Sequence, residues 1–139
     1  MLIGEYGHSL DIKSRVSFPA KLREELGEKV IITRGLDNCL FVYSLAEWKG
    51  LEERIRALPL SKSRGIQRFL FASAAVVEAD KQGRIVIPQN LREHAGIDKE
   101  VMIIGASTRA EIWDKTKWED NCQALTSTMM EEAMDELGF

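Results

Sequence analysis

The sequence is poor in the residues that would tie it to several common protein classes. Two cysteines, Cys39 and Cys122, occur in 139 residues. They are too few for a disulfide framework and lack C-x-x-C spacing, so both read as small apolar residues of the interior. Two histidines, His8 and His94, are present; neither lies in an H-E-x-x-H or similar ligand pattern, and no glycine-rich phosphate loop occurs, so neither a metal nor a cofactor is implied. No apolar run approaches the ~18 residues of a membrane span. Residues 1–11 lack the basic start and apolar stretch of a secretory leader. These absences point to a cytoplasmic protein with no membrane partner. What remains, 45% apolar and 29% charged, is ordinary globular composition at a length suited to one domain or two small ones.

An excess of positive charge is lacking too. There are 19 Lys+Arg against 22 Asp+Glu, a net −3, which taken alone argues against a nucleic-acid partner. The charges are segregated, however. Glu119, Asp120, Glu131, Glu132, Asp135 and Glu136 are the only charged side chains after Trp118, and without them residues 1–118 carry +3. Arg54, Arg56, Lys62, Arg64 and Arg68 form a basic stretch that no acid interrupts before Glu78. Such asymmetry marks either a polyanion-binding body with an acidic extension or a solvated helix face.

The chain repeats itself. Residues 11–27, from Asp11 through Arg15, Pro19, Leu22, Arg23 and Glu24 to Gly27, align without gaps with residues 80–96, and seven of the 17 positions are identical. The likeness continues from Lys29–Thr33 into Glu100–Ile104, and Val42-Tyr43 leads to Trp48 as Ile112-Trp113 leads to Trp118. Two tandem half-domains follow.

Each half has one local grammar. Residues 5–11 and 74–80 are strand candidates, and 12–14 and 81–83 are polar turns before a second strand. Ser14 stands where the second half has Gly83, a residue suited to positive φ. Pro19 and Pro88 take the first position of a short helix, and Gly27 and Gly96 supply its left-handed stop. Val30–Ile32 and Val101–Ile104 are apolar runs buried on both faces. A helix capped by Ser44 runs to about Arg56, Pro59 breaks it, and another spans roughly Leu60 to Ala72. A last helix begins near Thr116, with Trp118, Cys122 and Leu125 on one side.

In each half an aspartate and an arginine bracket the turn: Asp11 with Arg15, and Asp80 with Arg84. An isolated D-x-x-x-R is a cross-turn ion pair worth under ~1 kcal/mol. Here it recurs in phase with φ-x-φ-P-x-x-L-R-E, where φ denotes an apolar residue, and that makes it specific. An arginine fork held by an aspartate is oriented in advance for phosphate or for the O6/N7 edge of guanine. Arg23 and Arg92 also repeat, as phosphate contacts or surface ion pairs. Lys13, Lys81, Lys21, Arg34 and Arg109 add charge near the same turns.

These motifs resemble the swapped-hairpin AbrB fold. The linker between the halves, the overall length and the opening Met1-Leu-Ile-Gly4 with His8-Ser-Leu-Asp11 are similar to the MraZ family of bacterial regulators, from Met1 to about Trp118. The resemblance implies an α+β fold of two tandem AbrB-like half-domains around a small β-barrel-like core, with helices between and after them. Its parts would be a first repeat over 1–48, a helical linker over 49–73, a second repeat over 74–118 and an acidic tail over 119–139. It further implies a nucleoid-associated, ring-forming homo-oligomer that binds double-stranded DNA at short G-rich promoter repeats of a cell-division and cell-wall gene cluster. Arg15 and Arg84 would read bases, Asp11 and Asp80 would orient the hairpins, and Lys13, Lys81, Arg23 and Arg92 would meet phosphates. The alternative is an antitoxin-like interaction module working through the acidic tail. An aspartic dyad of Asp11 and Asp80 is disfavoured: no Ser/Thr-Gly follows either residue, and an arginine four positions on holds each carboxylate ionised. No enzyme is expected.

Overall fold

The two halves build the same elements in the same order, as seen in a computed structural model that describes residues 1–139. The first half contains β1 (Glu5–Ser9), β2 (Arg15–Ser17), α1 (Ala20–Leu26), β3 (Lys29–Arg34) and β4 (Leu40–Ser44). Helices α2 (Leu45–Arg56) and α3 (Leu60–Leu70) follow. The second half repeats the series as β5 (Ala75–Glu78), β6 (Arg84–Val86), α4 (Gln89–Ala95), β7 (Glu100–Ala106) and β8 (Arg109–Asp114). The chain ends in α5 (Lys115–Ala124), α6 (Ser127–Met134) and one 3-10 turn.

Local chemistry explains the boundaries. The Ser44 hydroxyl accepts from the Glu47 N–H at 3.1 Å, and the Asp114 carboxylate accepts from the Lys117 N–H at 3.3 Å. Matching N-caps therefore start α2 and α5. Pro19 and Pro88 sit one position earlier than expected: with ψ of 130° and 148° they are the capping residues before the helix. Gly96 is the left-handed stop of α4, whereas Gly27 combines φ 89° with an extended ψ of 175°, so the two short helices end differently.

The strands pair across the halves. One antiparallel sheet has the order β1-β7-β8-β4-β3-β5, and β2 and β6 form a separate two-stranded ribbon. The first strand of each half is thus hydrogen-bonded to the third strand of the other: His8 faces Val101 across β1 and β7, and Val77 faces Val30 across β5 and β3. Read from either end, the order exchanges the halves, which is a pseudo-twofold axis. The α+β swapped-hairpin architecture is the one the resemblance implied, but the barrel does not close. The sheet is open, and β1 and β5 are its edges.

One core lies between the sheet and the ribbon with its two short helices. Val16, Phe18 and Leu22 meet Ile85, Ile87 and Leu91 there, over Ile32, Val42, Ile103 and Ile112 of the sheet. On the opposite sheet face, which α5 covers over β7 and β8, Glu111 is buried: its carboxylate accepts from the Trp113 indole at 3.0 Å and the Arg109 Nε at 2.9 Å, and Arg109 lies over the Phe41 ring. Arg34 binds the end of α3, donating to the Phe69 and Arg68 carbonyls at 3.0 and 3.1 Å, where a cation is favoured. Arg34 and Arg109, expected near the hairpin turns, are occupied elsewhere. Cys39 is buried and burial raises its thiol pKa, but Cys122 is exposed, contrary to expectation, because α5 rests on the sheet through Trp118.

Candidate nucleic-acid interface

The β2–β6 ribbon has one inward and one outward face. Val16 and Ile85 point into the core and are 1% and 2% exposed. Period-two alternation turns their neighbours outward: Arg15 lies opposite Val86, and Ser17 opposite Arg84. The two arginines are therefore diagonal neighbours on one face, with Cα atoms about 7–8 Å apart. The ribbon is closed at each end by reciprocal bonds: the Phe18 N–H donates to the Gly83 carbonyl at 2.9 Å and the Ile87 N–H to the Ser14 carbonyl at 3.1 Å. A turn thus sits at each end of the ribbon.

Each turn is organised by its aspartate in the same way. Asp11 Oδ1 accepts from the Lys13 and Arg15 N–H groups at 2.9 Å each, and Oδ2 accepts from Arg15 Nε at 2.7 Å. Asp80 Oδ1 accepts from the Gln82 and Arg84 N–H groups at 2.9 Å each, and Oδ2 from Arg84 Nε at 2.8 Å. One carboxylate thereby fixes both the backbone turn and the direction of the guanidinium. Each arginine uses Nε internally, leaving its outer Nη groups free of hydrogen bonds within the chain, though Arg84 Nη1 lies 3.9 Å from Asp11 Oδ2. The backbone N–H of the following arginine is the main reason each carboxyl is held below its usual pKa, against a smaller upward push from desolvation.

That direction sets a pH expectation. A carboxylate whose folded pKa is depressed stabilises the fold above its unfolded pKa, and the contribution is lost as pH falls through the folded value. Both turns therefore stay ordered at pH 5. Carboxyl-carbon NMR titration should place the midpoints of Asp11 and Asp80 below 3.8, the ordinary value; a midpoint above it for either residue would contradict the hydrogen-bonded geometry.

Arg23 and Arg92 do something the sequence did not reveal. Arg23 Nε donates to the Phe18 carbonyl at 3.0 Å, and Arg92 donates to the Ile87 carbonyl. Each joins its short helix to the residue that follows its ribbon strand, and both remain half-buried. Lys13 and Lys81 are exposed at the turn tips and make no ion pair. Three residues missed by the sequence reading share the outward surface: Ser17, Val86 and Ile12, the last fully exposed. An isoleucine inside an otherwise polar turn was the available signal.

The two turns differ in sequence at all three positions, and the last of these carries a conformational demand. Ser14 and Gly83 both have positive φ, 60° and 75°, so the turns share a form despite the different residues. A Cβ on Gly83 would fall 2.7 Å from the Arg23 guanidinium. Gly83→Ala should lower stability by about 1–2 kcal/mol, combining left-handed strain with loss of the Arg23 bond. Ser14→Gly should raise it by under ~1 kcal/mol. Urea denaturation of the two variants checks the opposite signs.

Comparison with known proteins agrees with this architecture. The sequence model of a family described as "MraZ protein, putative antitoxin-like" matches residues 1–68 and again 70–137, one match per half. A protein of Acetivibrio thermocellus named transcriptional regulator MraZ is 56% identical over the whole of both chains. Proteins of the same name from Caldanaerobacter subterraneus, 55% identical over 99% of this chain and 96% of the relative, and from Clostridium acetobutylicum, 52% identical over the whole of both, are similar throughout. With two family matches and full-length relatives at this identity, the chain belongs to the MraZ family.

Proposed function

We propose that this chain is a sequence-specific DNA-binding transcriptional regulator, acting in the cytoplasm at the nucleoid, that reads short G-rich direct repeats at the promoter of a cell-division and cell-wall gene cluster. The observation that carries this reading is the outward face of the ribbon. Two arginines, each oriented by an aspartate, stand side by side on a two-stranded β-ribbon, an element that fits the B-DNA major groove, about 12 Å wide. The free Nη groups suit guanine O6 and N7, the commonest specific base contact. The exposed methyls of Ile12 and Val86 suit a thymine methyl. Lys13 and Lys81, together with whatever Arg23 and Arg92 leave free of their carbonyl bonds, would meet phosphates and set position without reading sequence. Self-association into a ring would present one ribbon per repeat and raise avidity. No helix of the chain is long and apolar enough to cross a membrane.

The test is a mobility shift on tandem G-rich repeats against scrambled DNA at two salt concentrations. Binding should prefer the repeats and weaken with salt by about 0.9 log unit per phosphate contact for each log unit of salt. Equal affinity for both DNAs would remove the sequence-specific reading. The family description and the exposed acidic tail favour one second reading, capture of a protein partner. That binding would survive replacement of Arg15 and Arg84 and fail on removal of residues after Trp118, whereas DNA binding would do the reverse.

A further inference from the structure

The ribbon straddles a pseudo-twofold axis, and a symmetric reader binds its site equally well in either orientation. Twofold DNA-binding proteins accordingly meet palindromic targets. A direct repeat has no such symmetry, so only residues that differ between the halves can select one orientation on it. The internal supports of the ribbon are the same in both halves. Asp11 and Asp80 each hold the turn and the following arginine through two backbone N–H groups and one Nε. The outward side chains are not the same.

At the Arg15 end, Ile12 and Lys13 form the turn tip and Val86 lies across the ribbon from Arg15. At the equivalent places the Arg84 end has Lys81, Gln82 and Ser17. One end is therefore apolar beside its arginine and the other is polar. Ile12 is 100% exposed and Val86 48% exposed. Residues directly opposite on a ribbon have Cβ atoms about 4.5–5.5 Å apart, so the Val86 methyls flank the Arg15 side chain. A β-branched residue suits a strand, which accounts for Val86 within the subunit. Ile12 has no such role: it lies in a turn, and Lys81 occupies the matching position of a turn with the same bonds.

We propose that the ribbon reads each repeat in one direction: Ile12 and Val86 pack on a thymine methyl next to the guanine of Arg15, while Ser17, Lys81 and Gln82 make no such demand next to the guanine of Arg84. Thymine is selected by its chemistry. In the major groove the other base edges present hydrogen-bond donors and acceptors, and only thymine adds a methyl group. An aliphatic pair beside an arginine therefore distinguishes thymine from the other three bases, and a serine–lysine pair does not. This polarity rests on the DNA-reading role of the ribbon proposed above and adds to it the residues that tell one end of the site from the other.

The full-length chain tests it by fluorescence anisotropy on G-rich repeat duplexes that carry an AT dinucleotide on each side of every guanine run. A thymine of either strand is then available at both ends. Uracil in place of thymine removes the C5-methyl and nothing else. In the parent chain the exchange should weaken binding about fourfold per repeat on one side of the guanines, the effect of burying one methyl group, and by less than about twofold on the other. Ile12→Lys/Val86→Ser gives the first end the residues of the second and should abolish the sensitivity. Lys81→Ile/Ser17→Val gives the second end the residues of the first and should make both sides sensitive. All four positions are exposed, so both variants should keep the parent's urea transition. A parent chain equally sensitive on both sides, or on neither, overturns the polarity while leaving DNA binding in place. So does a sensitivity that survives Ile12→Lys/Val86→Ser. A parent chain that binds repeats and scrambled DNA alike removes the reading role of the ribbon, and its polarity with it.

Discussion

Replacing Arg15 and Arg84 together by alanine is expected to reduce affinity for G-rich repeats by about 30-fold to 10^4-fold while leaving the fold intact. Each bidentate arginine–guanine contact contributes roughly 1–3 kcal/mol of discrimination, so two give about 2–6 kcal/mol. Stability should fall only slightly, because the two replacements remove the partly exposed ion pairs of Arg15 and Arg84 with Asp11 and Asp80 and no core atom. Fluorescence anisotropy with labelled repeats measures the first quantity, and urea denaturation the second. The lysine variants separate charge from shape. Arg15→Lys with Arg84→Lys keeps both charges, and so keeps most of the salt-dependent, non-specific binding, but removes the planar fork and with it the preference over scrambled DNA. Lys13→Ala with Lys81→Ala should act oppositely, weakening both DNAs alike and flattening the salt dependence. A double alanine variant that binds the repeats within threefold of the parent would show that the ribbon is not the reading surface.

The candidate site was legible wherever its chemistry is local. Asp11 and Arg15 lie four residues apart because one carboxylate must reach the N–H groups of the turn and the arginine that ends it. The same distance recurs at Asp80 and Arg84 because the second turn has the same form. Repetition in phase was therefore a geometric signal. The exchange of strands was not legible from pattern alone: β1 bonds to β7 of the other half with the alternation it would show beside β3 of its own, and only the family resemblance indicated the swap. The carbonyl bonds of Arg23 and Arg92 escaped notice because the partner is a backbone oxygen five residues back, which no side-chain pattern advertises. Glu111 escaped notice for a related reason. Arg109, Glu111 and Trp113 alternate on β8, but the burial that makes this a network depends on Phe41 of a neighbouring strand and on α5. Net charge was the least informative quantity, since a −3 total conceals a ribbon face whose arginines keep their acids as internal supports.

The exchange of strands also fixes how the molecule should unfold. Leu91 is fully buried, and it belongs to a core cluster that draws on both halves, Leu22 and Ile32 from the first with Ile85 and Ile103 from the second. Leu91→Ala removes packing from that shared cluster, at a cost of about 2–5 kcal/mol for a buried leucine. Spread over a chain of this size, that should lower the melting temperature by roughly 10 °C or more. The loss should be felt equally in both halves, because one continuous sheet joins them and the first strand of each half is paired only with the other half. Tryptophan positions allow a direct check. Trp48 packs against Tyr43 and Phe71 beside the first half, and Trp113 against Trp118 in the second. Fluorescence of a variant keeping only Trp48 and of one keeping only Trp113 should give coincident urea transitions, and Leu91→Ala should shift both by the same amount. Leu22→Ala, at the equivalent position, should do the same from the other half. Separate transitions, with Leu91→Ala moving only the Trp113 signal, would mean that the halves fold as independent units. The two arginines of the ribbon, one from each half, would then lack the common frame that sets them side by side.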